Sequence, residues 1–275
     1  MASLLALSRA ASEEAKRLFK LRVWTHAVSL LFAIAALWAS SPWTHGFAVL
    51  ALMSELVAWV IRYKSGRTHA DAEQGRRAAM LMWAFGNTQE PPDAVDLRAT
   101  FGPRIETRAK ALEDPNYYAS VLPPGEERFA DMFQESAFWS KHLYRLSATL
   151  AIGVSLLLLL VVVLLFMLLG PTGAHDALSI LAQLMVPIIG FFVSVDLLGQ
   201  GLAWLEAASV ADRIDRALEG NRAPSSQDLL ATFSEYSVAT ACAAPIPTFL
   251  HRREHDRLER EWRRRRTHHA EGLVE

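Results

Sequence analysis

Residues 148–169 read ATLAIGVSLLLLLVVVLLFMLL, and from Leu156 to Leu165 no polar side chain interrupts the run. As an α-helix rising 1.5 Å per residue, this stretch reaches ~33 Å, enough to cross the hydrocarbon core of a bilayer. A soluble core rarely contains an apolar run of this length. The rest of the chain supports a membrane reading through its distribution of charge. A net charge of −1 conceals strong segregation: all 28 Lys and Arg residues lie in 1–22, 62–147 and 203–275, and none in 23–61 or 148–202. A soluble protein scatters basic residues over every surface helix.

Four spans are expected, at about 23–39, 47–61, 148–169 and 177–202. Ser40–Gly46 reads as the turn of the first hairpin, with Pro42 and Gly46 in it, and Gly170–Asp176 as the turn of the second. The chain then divides into an N-terminal segment 1–22, a hairpin 23–61, an insert 62–147, a hairpin 148–202 and a tail 203–275. Neither hairpin turn carries Lys or Arg, whereas the opposite flanks carry Lys20, Arg22, Arg62, Lys64, Lys141, Arg145, Arg213 and Arg216. The positive-inside rule places both turns outside the cell and both termini, insert and tail in the cytoplasm. Trp24, Trp38, Trp43, Trp59 and Trp204 fall near span ends, as an aromatic belt requires. The expected fold is mainly α: four transmembrane helices in two hairpins, with a helical cytoplasmic domain formed by the insert and the tail. Met1–Leu7 is too short for the apolar core of a signal peptide and is followed by charge. The single Cys242 rules out an intrachain disulfide and fits a reducing compartment.

In the tail, Ser225–Asp228 reads as a helix N-cap followed by Leu229, Leu230, Phe233, Tyr236 and Ala241 on an apolar stripe, with Pro245 and Pro247 as the stop. The stretch 251–269 is strongly basic, with Leu258 and Trp262 four apart. Asp93–Arg98 and Pro123-Pro124-Gly125 read as loops.

Few motifs point to catalysis. His251-Arg252-Arg253-Glu254-His255 has the H-x-x-E-H spacing of a zinc site, which would put both histidines on one helix face. The surrounding Arg252, Arg253, Arg257 and Arg260 oppose a cation, so a solvated charged helix is the better reading. No glycine-rich phosphate loop is present. No catalytic residue, metal or cofactor is expected.

Polar residues inside the spans are more informative. A carboxylate at mid-span costs on the order of 3 kcal/mol on insertion scales, so Glu55 should face protein or water. In the fourth span Gln183, Pro187, Gly190, Ser194 and Gly201 share one helical face, with Asp196 on the other side near the cytoplasmic end. Such a stripe suits either close helix packing or a pore. The pore-lining candidates are therefore Glu55, Gln183, Ser194 and Asp196. In the cytoplasmic part Arg76, Arg77, Tyr117, Tyr118 and Trp139 combine charge for phosphate with flat faces for a base. Trp139 lies close to Lys141, His142, Tyr144 and Arg145, which also suit a membrane-proximal anchor.

Two segments carry a family likeness. One is Asn116-Tyr117-Tyr118-Ala119-Ser120-Val121-Leu122-Pro123 with Gln134-Glu135-Ser136-Ala137-Phe138-Trp139; the other is Ala244-Pro245-Ile246-Pro247-Thr248-Phe249-Leu250 ahead of the basic helix. With the order of spans and insert, over nearly the whole chain, they resemble the SMODS-associated four-transmembrane effectors of bacterial antiphage systems. The chain departs from that family at Glu135, Ala137 and Ser140, where the family often has Arg, Asn and Asp. The resemblance implies a bacterial inner-membrane effector encoded beside a nucleotidyltransferase. It also implies a homo-oligomer, taken here as a tetramer, that opens a membrane path under control of a cyclic or oligomeric nucleotide. The competing expectation is a membrane-anchored sensor or scaffold that recruits partners and conducts nothing.

Overall fold

The computed structural model describes residues 2–40, 42–86, 92–114, 117–169, 188–191, 195–220 and 225–271. Among these residues the chain is mainly helical, with no strand. The helices are α1 (Leu4–Trp38), α2 (Trp43–Phe85), α3 (Pro92–Thr100), α4 (Pro103–Ala109), a 3-10 turn (Lys110–Leu112), α5 (Glu126–Leu169), α6 (Leu197–Gly220), α7 (Ser226–Cys242) and α8 (Thr248–Glu271). Three of them, α1, α2 and the Glu126–Leu164 stretch of α5, are long and apolar enough to cross a membrane. Only 17%, 11% and 22% of their most apolar windows are buried within the chain. Trp24, Leu31, Leu52, Trp59, Leu156 and Leu157 all stand exposed. A continuous apolar surface of this kind needs lipid or another chain to cover it, and these helices fit a membrane protein. Of the expected fourth span, 177–187 and 192–194 lie outside the described residues.

The chain packs as two compact units. The apolar unit holds Arg17–Gly66 and Thr149–Leu202. The charged unit holds Met1–Lys16, Arg67–Ala148 and Ala203–Glu275. Helices α1, α2, α5 and α6 each contribute one stretch to either unit, because nothing in their sequences stops a helix at the edge of the apolar run.

Two local expectations change. Asp93–Arg98, read as a loop, belongs to α3, where proline opens the helix and Leu97 docks into a core made with Leu4, Leu5, Ala72 and Phe101. Thr44–Gly46, read as turn, belongs to α2: the hairpin closes earlier, by Trp43 N–H donating to Ser40 O at 2.9 Å and Thr44 Oγ1 donating to Ala39 O at 2.7 Å. Other signals match. Ser225 caps α7, its Oγ accepting from Asp228 N–H at 3.2 Å. Leu229, Phe233 and Tyr236 are buried, although Leu230 on the same helix is exposed. Gly86, at φ +65°, ends α2 in the left-handed region that favours glycine.

The charged unit is built around stacked aromatics. Phe129 and Phe133 of α5 meet Phe233 of α7 edge-on at 5.1 and 5.3 Å, and Phe133 meets Tyr236 at 5.3 Å. A smaller core holds Phe138, Leu143, Leu258 and Trp262, which docks α8 on α5. Beside it Asp215 of α6 is almost fully buried. Lys141 Nζ lies 2.6 Å from its carboxylate, and Arg265 Nη1 donates to both oxygens at 2.8 and 2.9 Å. Helices α5, α6 and α8 thus meet at one carboxylate.

Removing one partner of a buried pair strands the other charges, at a cost of about 3–5 kcal/mol. Asp215→Ala is therefore expected to lower stability by about that amount in chemical denaturation of the detergent-purified protein. Glu219→Gln, which removes the half-exposed carboxylate 2.9 Å from Arg265, should change stability by under about 1 kcal/mol.

Candidate functional site

Within the described part of the apolar unit several polar side chains meet in pairs. Glu55 of α2 faces His26 of α1, with His26 Nδ1 3.1 and 3.3 Å from the two carboxylate oxygens. His26 is 4% exposed, and its Nε2 has no hydrogen-bond partner. One turn outward, Ser29 Oγ donates to Ala51 O at 3.0 Å. Glu55 keeps about a third of its side chain open. That open part lines a cleft of about 210 Å³ together with Ser29, Leu30, Ala33, Ala51, Leu52, Gly190 and Phe191. Nearer the charged ends of these helices, Arg62 Nη2 stands 3.6 Å from Asp196. Arg22 is buried, one turn from His26, with Nε and Nη2 unpartnered.

Asp196 does not lie within a continuous helix, as the sequence reading has it. The chain turns there at φ +52°, and α6 starts at the next residue. Asp196 O accepts from Gln200 N–H at 3.0 Å. Its carboxylate lies over Gly199, where a Cβ would come within 2.3 Å of Oδ1. A carboxylate at the first turn of a helix is stabilised by the helix dipole, and Asp196 is also paired to Arg62 at 3.6 Å. Gln183 and Ser194 lie outside the described residues.

His26 is the residue that sequence reading missed. The sequence reading centred the turn near Trp43, which does not set His26 opposite Glu55; the earlier closure of the hairpin does. The Phe32–Phe47 stack, at 6.3 Å, follows the same register.

In the charged unit the arginine and tyrosine candidates are placed differently from an open surface. Arg76 is largely buried. Its Nε and Nη2 donate to Glu73 Oε2 at 3.1 and 2.7 Å, and its Nη1 donates to Ser136 Oγ at 2.8 Å. The guanidinium lies 5.7 Å from the Tyr236 ring, whose hydroxyl bonds Ser136 and Ser140. Burial opposes the charge on both partners, yet each neutralises the other: Arg76 is held well above its usual range and Glu73 below its own. Burial lowers Arg77, which is only half-buried. Tyr117 and Tyr118 pack edge-on at 4.9 Å, Tyr118 also meets Trp83 at 5.7 Å, and Arg9 lies 5.0 Å over the Tyr117 ring. Arg76, Tyr117 and Tyr118 thus belong to one cation–aromatic lattice. Trp139 belongs to another, stacking on His255 at 5.5 Å and His251 at 6.1 Å. The two histidines of the H-x-x-E-H stretch lie against this indole, His251 partly buried and His255 exposed. No group of three His, Cys, Asp or Glu among the described residues could hold a metal.

Glu135 ties the quoted segments together. Its carboxylate accepts from Ala119 N–H at 3.0 Å, while Arg266 of α8 donates to Ala119 O. Burial, with a contribution from Asp131, pushes its carboxyl up to about 7. A carboxyl raised in the folded state favours folding below its unfolded value of 4.5, and that contribution is lost as pH rises through about 7. At 1.36 kcal/mol per pH unit the loss is at most roughly 3 kcal/mol. Thermal unfolding at pH 5 and pH 8 should show Glu135→Gln flattening this slope and stabilising the protein at pH 8. Comparison with known proteins adds no relative: no family model, no curated protein and no solved structure matches the chain.

Proposed function

We propose that this chain is an inner-membrane effector of antiphage defence: a homo-oligomeric pore whose opening is controlled by a cyclic or oligomeric nucleotide from a partner nucleotidyltransferase. Opening would depolarise the infected cell and arrest its growth. The observation that carries the reading is Glu55, a carboxylate held at mid-helix on an apolar stretch and open to a cleft. Ionisable side chains placed there are expensive, and they mark ion pathways when they face water. Four spans in one chain enclose no hydrated channel, whereas a ring of chains around a shared axis does. In such a ring Glu55 from each protomer supplies negative charge at one depth and favours cations. The fourth span, a bacterial host and the tetramer belong to this proposal, as does the absence of catalysis.

Regulation is assigned to the charged unit. Arg77 and Tyr117, both half-buried, are the candidates that supply a cation and an aromatic ring to a nucleotide. Arg76 acts from behind, because Glu73 already holds it. That internal pairing is also what favours the second reading, a membrane scaffold that binds partners and conducts nothing.

Ion flux from liposomes containing oriented, oligomeric protein separates the two. A pore conducts in at least one nucleotide condition and a scaffold in none. In conducting liposomes under a salt gradient, Glu55→Gln should move the reversal potential toward zero. An unchanged potential in a variant that still oligomerises would remove Glu55 from the pathway.

The orientation has its own test. In a Cys242→Ser background, cysteines at Thr44 and Thr172 should react with an impermeant maleimide added to intact cells. The native Cys242, which is exposed on the charged unit, should react only after permeabilisation. The opposite pattern would invert the topology.

A further inference from the structure

We propose that Arg22 and Arg62, at the charged end of the apolar unit, together hold a phosphate group, and that this group is the phosphodiester of an anionic phospholipid. Arg22 is 6% exposed, and the N–H groups on its Nε and Nη2 donate to no acceptor. Buried polar groups in folded proteins are nearly always partnered. An enclosed charge is costly until a counter-charge meets it, and a guanidinium cannot escape that cost by shedding its proton. Phe19, one turn earlier on α1, lies with its ring 4.8 Å from the Arg22 guanidinium carbon, but an aromatic face supplies no oxygen to the N–H edge.

The neighbouring charges define the partner. Arg62 on α2 and Asp196 at the start of α6 both act on the charge of Arg22. Arg62 Nη2 stands 3.6 Å from Asp196, beyond hydrogen-bond length, and the two side chains are 50% and 42% exposed. Asp196 also lies over Gly199 in the first turn of α6. One carboxylate therefore serves a helix end and two guanidinium groups. Two cations and one anion leave a charge of +1, which a singly ionised phosphodiester balances. A guanidinium offers five N–H donors in a planar fork suited to phosphate oxygens. Arg62 can thus keep Asp196 on one side and take a phosphate on the other. Its open side chain gives the phosphate an entry, and Arg22 turns its N–H edge to meet it.

The surroundings favour a lipid as the source of that phosphate. Trp24 follows Arg22 on α1, Trp59 and Tyr63 flank Arg62 on α2, and all three are exposed. Exposed Trp and Tyr at the ends of apolar helices mark the headgroup level of a bilayer. Leu21, beside Arg22, is exposed as well, so an acyl chain finds apolar surface next to the charge. Lys20 and Lys64 are exposed on the same helices and add attraction for anionic headgroups. Glu55, two turns from Arg62 along α2, faces His26 instead and does not occupy either arginine.

The site rests on the membrane reading of the apolar helices and not on conduction, so its test needs no ion flux. Thermal unfolding of the full-length protein in a neutral detergent is followed by tryptophan fluorescence. The additions are dioctanoyl-phosphatidylglycerol, dioctanoyl-phosphatidylcholine, glycerol phosphate and inorganic phosphate. A ligand of the folded state raises Tm with its concentration. Phosphatidylglycerol is expected to raise Tm and phosphatidylcholine to leave it unchanged. Glycerol phosphate and inorganic phosphate, which lack acyl chains, should act only at concentrations at least about tenfold higher. A phosphate effect at the same concentration as the lipid would overturn the lipid as the source. Arg22→Gln and Arg62→Gln each remove charge-assisted hydrogen bonds and should weaken the phosphatidylglycerol effect about tenfold, whereas Lys20→Gln and Lys64→Gln should change it less than about twofold. Equal losses in all four variants would reduce the effect to diffuse surface charge and overturn the site. Without lipid, Arg22→Met should be at least as stable as the native protein, because it removes an unpaired buried charge. A clear loss of stability there would show that Arg22 is already satisfied within the chain. A native protein that phosphatidylglycerol and phosphatidylcholine affect alike overturns the proposal whether or not the variants fold.

Discussion

A carboxylate withdrawn from water has to be neutralised by its neighbours, and Asp215 places that demand on three helices at once. Lys141 comes from α5, Arg265 from α8, and Asp215 itself from α6. Around it the same logic recurs at lower stakes, with Asp212 near Lys141, Arg145 and Arg216 and with Arg265 reaching Glu219. The basic stretch that reads as a solvated tail is therefore not free to wander. One face of α8 is committed to Asp215, to Leu258 and Trp262 in the small core, and to Trp139. Its outer face keeps the exposed Arg252, Arg253, Arg263 and Arg264.

The fixed tail matters because it reaches the segments proposed to sense a ligand. Arg266 holds the carbonyl of Ala119, and Glu135 holds its amide. Tyr117 and Tyr118, directly before Ala119, are thereby positioned by α5 and α8 as well as by their own ring contacts. A ligand that rearranged Tyr117 would disturb α5 and α8 rather than one loop. Coupling of this sort needs a packed element with two discrete arrangements, and a buried carboxyl near neutrality, as at Glu135, is well suited to tip one.

The apolar unit obeys a stricter rule, because lipid offers no hydrogen bonds. Several of its polar side chains accordingly find partners, Ser29 a backbone carbonyl, His26 Glu55 and Arg62 Asp196, although buried Arg22 keeps Nε and Nη2 unpartnered. Glu55 is the informative exception, since it is both paired and open to the cleft. An axial ring of solitary carboxylates is a simpler device than what the chain builds. Here the carboxylate has a hydrogen-bonding partner, His26, in its own chain.

Composition and local pattern were enough to determine the helical class, the long apolar stretches and the ends of α7, because each is decided over a few residues. A run without polar groups is visible as such; Ser225 caps through an amide three residues on; Pro245 and Pro247 cannot continue a helix. Leu258 and Trp262 are visibly four apart, but the stretch reads as a solvated charged helix, and only packing on α5 shows that these two side chains are buried. Locality also explains the misses. α3 is too polar for its own sequence to announce it, and it is helical because Leu97 finds a core assembled from α1 and α2. Arg76 looked like a surface cation because nothing nearby in sequence says that Ser136 and Tyr236 will enclose it beside Glu73. His26 and Glu55 are each ordinary alone. Only the antiparallel register of α1 and α2 sets them face to face, and contacts between residues far apart in the chain are settled by how whole helices pack, not by the order of the residues within them.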